Sequence, residues 1–192
     1  MCGIAGLIHR GKKSDVGAEM TSMLQALKHR GPDSTGYAVY GAAGEGDYIM
    51  RFILAEQDAM TKSFDMKDKV AERLVEVEKR LALHGAVIKQ REHSTDYALR
   101  YVIQHDGDTE TLARHIEDVD GVEILSLGNS LELIKDLGDA GVVAKQYGLL
   151  DFSGTHGIGH TRMATESDVD IRSAHPYWAF PYNDVSVVHN GQ

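Results

Sequence analysis

Met1-Cys2-Gly3-Ile4-Ala5-Gly6-Leu7-Ile8-His9 opens the chain and holds its only cysteine. Ile4, Leu7 and Ile8 are apolar and the glycines admit close backbone approach, so residues 3–9 read as a short buried strand headed by Cys2. A thiol beside the initiator methionine has a chemical use. Once Met1 is removed, Cys2 carries a nucleophile and an α-amine on one residue. Reference pKa values of about 8.5 for the thiol and about 7.7–8.0 for the amine let one act as base for the other near neutral pH. The same residues suit a small buried hydrophobe at the start of a strand. The rest of the chain decides between these readings.

Working outward, Val16, Met20, Met23, Leu24 and Leu27 recur at helical spacing, with Lys28, His29 and Arg30 in the last turn and Gly31-Pro32 as a stop. The stop, His29-Arg30-Gly31-Pro32-Asp33-Ser34-Thr35-Gly36, sets charged residues in a tight loop before a strand at 37–40. A plain helix cap and turn reads equally well from it. Residues 42–128 then change character. A strand at 48–54 leads to a helix on Met66, Val70, Leu74, Val77 and Leu81. Strands at 86–92 and 96–104, a helix carrying Leu112 and Ile116 and a strand at 122–127 follow. The order β-α-β-β-α-β is that of a ferredoxin-like split unit, and an inserted α+β subdomain is expected at 42–128. Residues 130–137 and 139–147 are expected to be two short helices parted by Gly138. A polar strand, Gly159-His160-Thr161-Arg162-Met163-Ala164-Thr165, comes next. The closing run, Val188-His189-Asn190-Gly191, reads as a strand about to turn into a hairpin, so residues 2–192 read as the N-terminal part of a longer chain.

Composition narrows the function. The 42% hydrophobic and 26% charged residues of this 192-residue chain are enough for a globular core. A formal charge of -9 without a basic cluster argues against nucleic acid as partner. No apolar run has the length of a membrane span and no leader pattern is visible, so a cytoplasmic protein is expected. One cysteine leaves no internal disulfide and no multi-cysteine zinc site.

Three places offer chemistry. Arg162, in a strand beside His160, Thr161 and Thr165, presents a planar guanidinium suited to a carboxylate, although a salt bridge to Asp33 or Glu166 would also account for it. Asn190-Gly191 offers an amide donor and an unshielded backbone N–H, the parts of an oxyanion hole or of an ordinary turn. His156, His160, His175 and His189 cluster late in the chain without metal-ligand spacing and read as hydrogen-bonding framework, so no metal is expected. Neither glycine-rich run, 41–46 or 153–159, is a phosphate loop, and no cofactor is expected.

Taken in order, Met-Cys-Gly-Ile-Ala-Gly, His29-Arg30-Gly31-Pro32-Asp33-Ser34 with Gly36, Gly159 to Thr165, Ala174-His175-Pro176 and Val188-His189-Asn190-Gly191 resemble the motifs of class II glutamine amidotransferases, the N-terminal nucleophile type. Residues 42–128 lie outside these motifs. The resemblance implies an αββα sandwich, L-glutamine as substrate and hydrolysis of its side-chain amide. It implies Cys2 as nucleophile with its own amine as proton shuttle, and Arg162 on the glutamine α-carboxylate. Asn190 and Gly191 would meet the oxyanion, Arg30 and Asp33 would shape the loop beside Cys2, and Thr165 would line the pocket. The family's aspartate for the substrate amino group would lie beyond Gln192.

Within that family, Met163 stands where many members have Trp, and the stretch from Cys2 to Arg162 is long. These features look most like the amidotransferase subunits of glutamate-synthase-like enzymes, including N-methylglutamate synthase, which pass ammonia to a flavin-bearing partner. An asparagine synthetase, amidophosphoribosyltransferase or glucosamine-phosphate synthase domain, or a non-catalytic subunit of the same fold, remains open at this point.

Overall fold

The computed structural model describes residues 2–31, 33–62, 65–163 and 170–190. It is an α+β structure of two four-stranded antiparallel sheets and a short two-stranded one. In chain order the elements are β1 (Gly3–Ile8), α1 (Val16–Ala26), β2 (Ser34–Tyr40), β3 (Asp47–Ile53), α2 (Gln57–Lys62), α3 (Met66–Leu83), β4 (Val87–His93), β5 (Ala98–Gln104), α4 (Thr109–Glu117), β6 (Glu123–Gly128), β7 (Leu131–Leu137), α5 (Ala140–Gln146), β8 (His156–Arg162), β9 (Tyr177–Trp178) and β10 (Ser186–Val187).

The first sheet runs β1-β8-β2-β7. Its register aligns Ala5 with Gly159 and Gly159 with Tyr37, so alternation puts Ala5, Leu7, Gly157, Gly159, Tyr37 and Ile134 on one face. Helix α1 covers that face with Val16, Met20 and Leu24, all fully buried. The glycines of β8 let it come close, since a Cβ on Gly159 would lie 2.6 Å from Leu24 Cδ1. Each of these three side chains contributes about 1.5–3 kcal/mol through burial. Helix α5 joins α1 through its N-cap: Asp139 accepts from Gly141 N and Val142 N, and also from Gln25 Nε2 at 2.7 Å and Lys28 Nζ at 2.9 Å. Led by the Lys28 hydrogen bond, these partners hold the Asp139 carboxyl down at about 2.

The opposite face carries Ile4, Gly6, Ile158, His160, Gly36, Ala38 and Lys135. Residues 170–178 lie across it. The carbonyl oxygen of His175 sits 1.9 Å from where a Cβ on Gly36 would be, and Trp178 and Ile158 pack against the cluster of Ala38, Tyr40 and Leu131.

The second sheet, β4-β5-β3-β6, comes wholly from residues 47–128. Helix α4 begins on Asp108, whose carboxylate accepts from Glu110 N and Thr111 N. One continuous apolar cluster runs through both sheets, from Leu24 and Tyr37 to Phe52, Leu81 and Leu112.

Several sequence readings need correction. Strand β1, read as buried, leaves Ile4 and Ile8 exposed, and residues 188–190, read as a strand, form none, since pairing stops at Val187. Residues 131–137, expected as a helix, form β7, paired with β2 along its length. Its charged residues Glu132, Lys135 and Asp136 are 2–3% exposed or less. Each is buried against partners: Glu132 against Arg51 and Arg100, Lys135 against Glu123, and Asp136 against Tyr97 and Tyr147. Likewise Ser34, Thr35 and Gly36, read as loop, are the buried start of β2.

Candidate active site

Cys2 stands immediately before β1, half-buried and free of any disulfide. Gly3 pairs with Thr161, and one further step of that antiparallel register sets Cys2 opposite Arg162. Ser34 faces Arg162 from the other side. Cys2, Arg162 and Ser34 therefore form a row on the face away from α1. Gly3 is a glycine for a local reason: a Cβ there would lie 2.8 Å from Thr161 Oγ1 and 3.0 Å from Leu27 Cβ.

Two side chains converge on the main-chain carbonyl of Cys2. Arg30 Nε donates to it at 3.1 Å, and Asn190 Nδ2 at 3.2 Å. Arg30 belongs to the 3-10 turn Lys28–Arg30 that finishes α1. Asp33 is tied in through its backbone, donating N–H to Arg162 O at 3.1 Å and accepting from Gly138 N at 3.0 Å. Arg162 is 8% exposed at the end of β8. Between its turn and β2, Gly31 passes so close to this strand that a Cβ would meet the Arg162 carbonyl carbon at 2.5 Å. Thus Cys2, Arg30, Asp33, Arg162 and Asn190 gather at one end of the first sheet. Thr165 and Gly191 lie outside the described residues.

The late histidines form a stack beside this group. The rings of His160 and His175 have centroids 4.8 Å apart, and those of His175 and His189 are 6.5 Å apart. Burial, reinforced by His175, pushes the His160 imidazole down to about 4, and burial also lowers His175. Both are neutral at neutral pH, which suits a packed stack next to Arg162. Among the described residues no three His, Cys, Asp or Glu side chains are arranged to hold a metal ion.

Sequence reasoning missed Lys135. It is 2% exposed, donates to Arg172 O at 3.2 Å, lies 3.3 Å from Glu123 Oε1 and sits over the Tyr177 ring at 5.1 Å. Burial lowers its pKa against the pull of Glu123. Glu56 accepts from Ile171 N at 3.1 Å and pairs with Arg172 at 3.3 Å, so residues from the second sheet's half of the chain clamp the segment that crosses the Cys2 face. Only the strand assignment of β7 would have revealed that Lys135 points to this face.

Residues 1–127 match the family described as the glutamine amidotransferase domain. That match takes in the whole second sheet but for its last residue, and ends before the strand carrying Arg162. A putative glutamine amidotransferase of Methanothermobacter thermautotrophicus is 38% identical over 195 residues, covering 100% of this chain and 61% of the relative. The glutamine amidotransferase-like protein GlxB of Rhizobium meliloti is 32% identical over 193 residues, covering 100% of this chain and 58% of that protein. Over 33% of the chain, a Streptococcus pyogenes glutamine–fructose-6-phosphate aminotransferase is 38% identical, across 10% of its own length. The chain thus spans about six-tenths of the length of the first two relatives. With the family match covering residues 1–127, the chain belongs to the glutamine amidotransferase domain family.

Proposed function

We propose that this chain is the glutaminase part of a class II, N-terminal nucleophile amidotransferase, hydrolysing L-glutamine to glutamate and ammonia. One observation carries the reading: Arg30 and Asn190 both hold the Cys2 carbonyl, one residue before the pair Gly3–Thr161 whose register, carried one step on, brings Cys2 level with Arg162. The terminal residue is thereby fixed between a guanidinium and an amide donor.

In the proposed reaction the Cys2 thiol gives its proton to its own α-amine, freed by loss of Met1, and the thiolate attacks the glutamine amide carbon. The C=O electrons move onto oxygen. Asn190 Nδ2 carries two N–H groups, and one spent on the Cys2 carbonyl leaves the second for this oxyanion, with Gly191 N–H as its companion. The ammonium returns its proton to the leaving nitrogen, ammonia departs and a thioester remains. Water then attacks the thioester, releasing glutamate and restoring the thiol. Arg162 would grip the glutamine α-carboxylate through its fork of donors. Arg30 and Asp33 would hold the loop beside Cys2, and Thr165 is assigned to the pocket by the family resemblance alone.

The same reading makes the first sheet, with α1 and α5 on one face, half of an αββα sandwich, and β9–β10 the start of its second sheet. Residues 42–128 are then a ferredoxin-like insertion, supported by the strand order β4-β5-β3-β6, though one with the short extra helix α2 and a share in the main core. Ammonia would pass to a glutamate-synthase-like, flavin-bearing partner in the cytoplasm. Among the described residues no helix is long and apolar enough to cross a membrane. The test is glutamate release by the full-length protein: Cys2→Ala should abolish it, and unchanged release in a well-folded variant would reject the proposal.

A further inference from the structure

A cavity of about 340 Å³ opens at the far end of the first sheet, where the two sheets meet. Its floor is Arg51 on β3, Arg100 on β5 and Glu132 on β7, and Lys13, Glu92 and Asp151 stand at its rim. It lies about 17 Å along the sheet from Cys2, since Glu132 pairs with Val39, five residues beyond Ser34, and on the opposite face.

The charge of the floor is unusual. Arg51 and Arg100 are direct cross-strand partners, an arrangement in which like charges repel. Glu132 bridges them: its carboxylate accepts from Arg51 Nε at 2.9 Å, and from Arg100 Nε at 2.8 Å and Nη2 at 3.0 Å. Burial would raise the Glu132 pKa, and the two guanidiniums outweigh it. One buried guanidinium, Arg51, and one half-buried guanidinium, Arg100, share one buried carboxylate, which leaves a positive charge facing the cavity from Arg100. Of the two carboxylates at the rim, Glu92 is 3.6 Å from Arg100 Nη1 and 45% exposed, a contact that water screens. Such an excess is costly to bury unless an anion completes it. The volume lies within the range of small-molecule sites.

We propose that this cavity binds a small oxyanion ligand, with a carboxylate or phosphate group set against the guanidiniums of Arg100 and Arg51, Lys13 at the rim and Glu92 displaced. The site is separate from Cys2 and independent of the glutaminase reading. Arg51 is the more committed of the two, donating Nη1 to Ser94 Oγ at 3.0 Å as well, so Arg100 makes the leading contact.

Isothermal titration of the full-length protein at fixed ionic strength, with inorganic phosphate and separately with succinate, tests this. At least one should bind saturably, and which one does assigns the ligand's anionic group. Glu92→Gln, which removes the competitor, should tighten binding by about twofold to fivefold, and Lys13→Ala should weaken it by a similar factor. Both positions are exposed, so these variants keep the fold. Arg162→Lys should leave the affinity unchanged. Absence of saturable binding to either anion overturns the proposal. So does binding that ignores Glu92→Gln and Lys13→Ala, or that Arg162→Lys removes.

Discussion

Asn190 donates its side-chain amide to the main-chain carbonyl of Cys2 at 3.2 Å, closing a gap of 188 residues along the chain. Arg30 reaches the same carbonyl from the end of α1. A residue at a chain terminus is ordinarily loose. Two donors on one carbonyl oxygen restrict that freedom, which the proposed attack by the thiol requires.

Asn190→Ala should lower kcat about 100- to 1,000-fold, the usual consequence of losing an oxyanion donor. Arg30→Ala, which removes only a pin, should cost about tenfold. Glutamate release measured under saturating glutamine checks both, and a larger loss for Arg30→Ala than for Asn190→Ala would reverse the assigned roles.

Arg162→Lys should mainly raise the KM for glutamine, by about 10- to 100-fold, because a point charge replaces a two-pronged grip and a charge-assisted hydrogen bond is lost. The comparison uses a glutamine analogue lacking the α-carboxylate. The variant should handle that analogue as the wild type does, and an equal loss with both would contradict the role.

Gly31→Ala should act on the same residue from behind. The added Cβ would meet Arg162 backbone at 2.5 Å, so β8 or the turn must shift. Overpacking of this kind costs about 1–3 kcal/mol. A lower Tm together with a raised glutamine KM is expected, and wild-type values of both would show that the turn yields freely.

The histidine stack makes stability fall in acid. The His160 pKa is depressed by burial to about 4 in the folded protein, against about 6.5 unfolded, so the unfolded chain binds the extra proton between those values. Its contribution is therefore fully present above about pH 6.5 and is lost as pH falls toward about 4, an amount on the order of 2–3 kcal/mol. His175 acts in the same direction, with His189, Arg162 and Lys135 nearby as further positive neighbours. Glu56 and Asp136, whose pKa values burial raises, act oppositely, so the readout is a difference. Urea unfolding at pH 7 and pH 4.5 should show a smaller acid loss for His160→Gln than for wild type. Identical losses would contradict the buried neutral imidazole.

The candidate site's residues fall in short ordered blocks of sequence: Cys2, Arg30, Asp33, Arg162 and Asn190 each stand in one, and the structure gathers them at one sheet end. Helix α1 was legible from the spacing of Val16, Met20 and Leu24 and its charged last turn. Strand β7 was not. Leu131, Ile134 and Leu137 recur at helical spacing, and Glu132, Lys135 and Asp136 look like a solvated helix face. Their burial depends on partners far away in sequence, Arg51, Arg100, Glu123, Tyr97 and Tyr147, which no local pattern announces. Lys135 and the Arg51–Glu132–Arg100 cavity were hidden with it. Tyr177–Trp178 escaped for a different reason: a two-residue strand defined by pairing with Ser186–Val187 has no period to read.

The central claim is that the Cys2 sulfur attacks glutamine. An electrophilic diazoketone analogue of glutamine, incubated with the full-length protein and followed by peptide mass spectrometry, tests it most directly. One adduct on Cys2, with parallel loss of glutamate release and protection by glutamine, is the predicted result. Full loss of activity with the label on another side chain, or sustained glutamate release with Cys2 fully modified, would contradict the account.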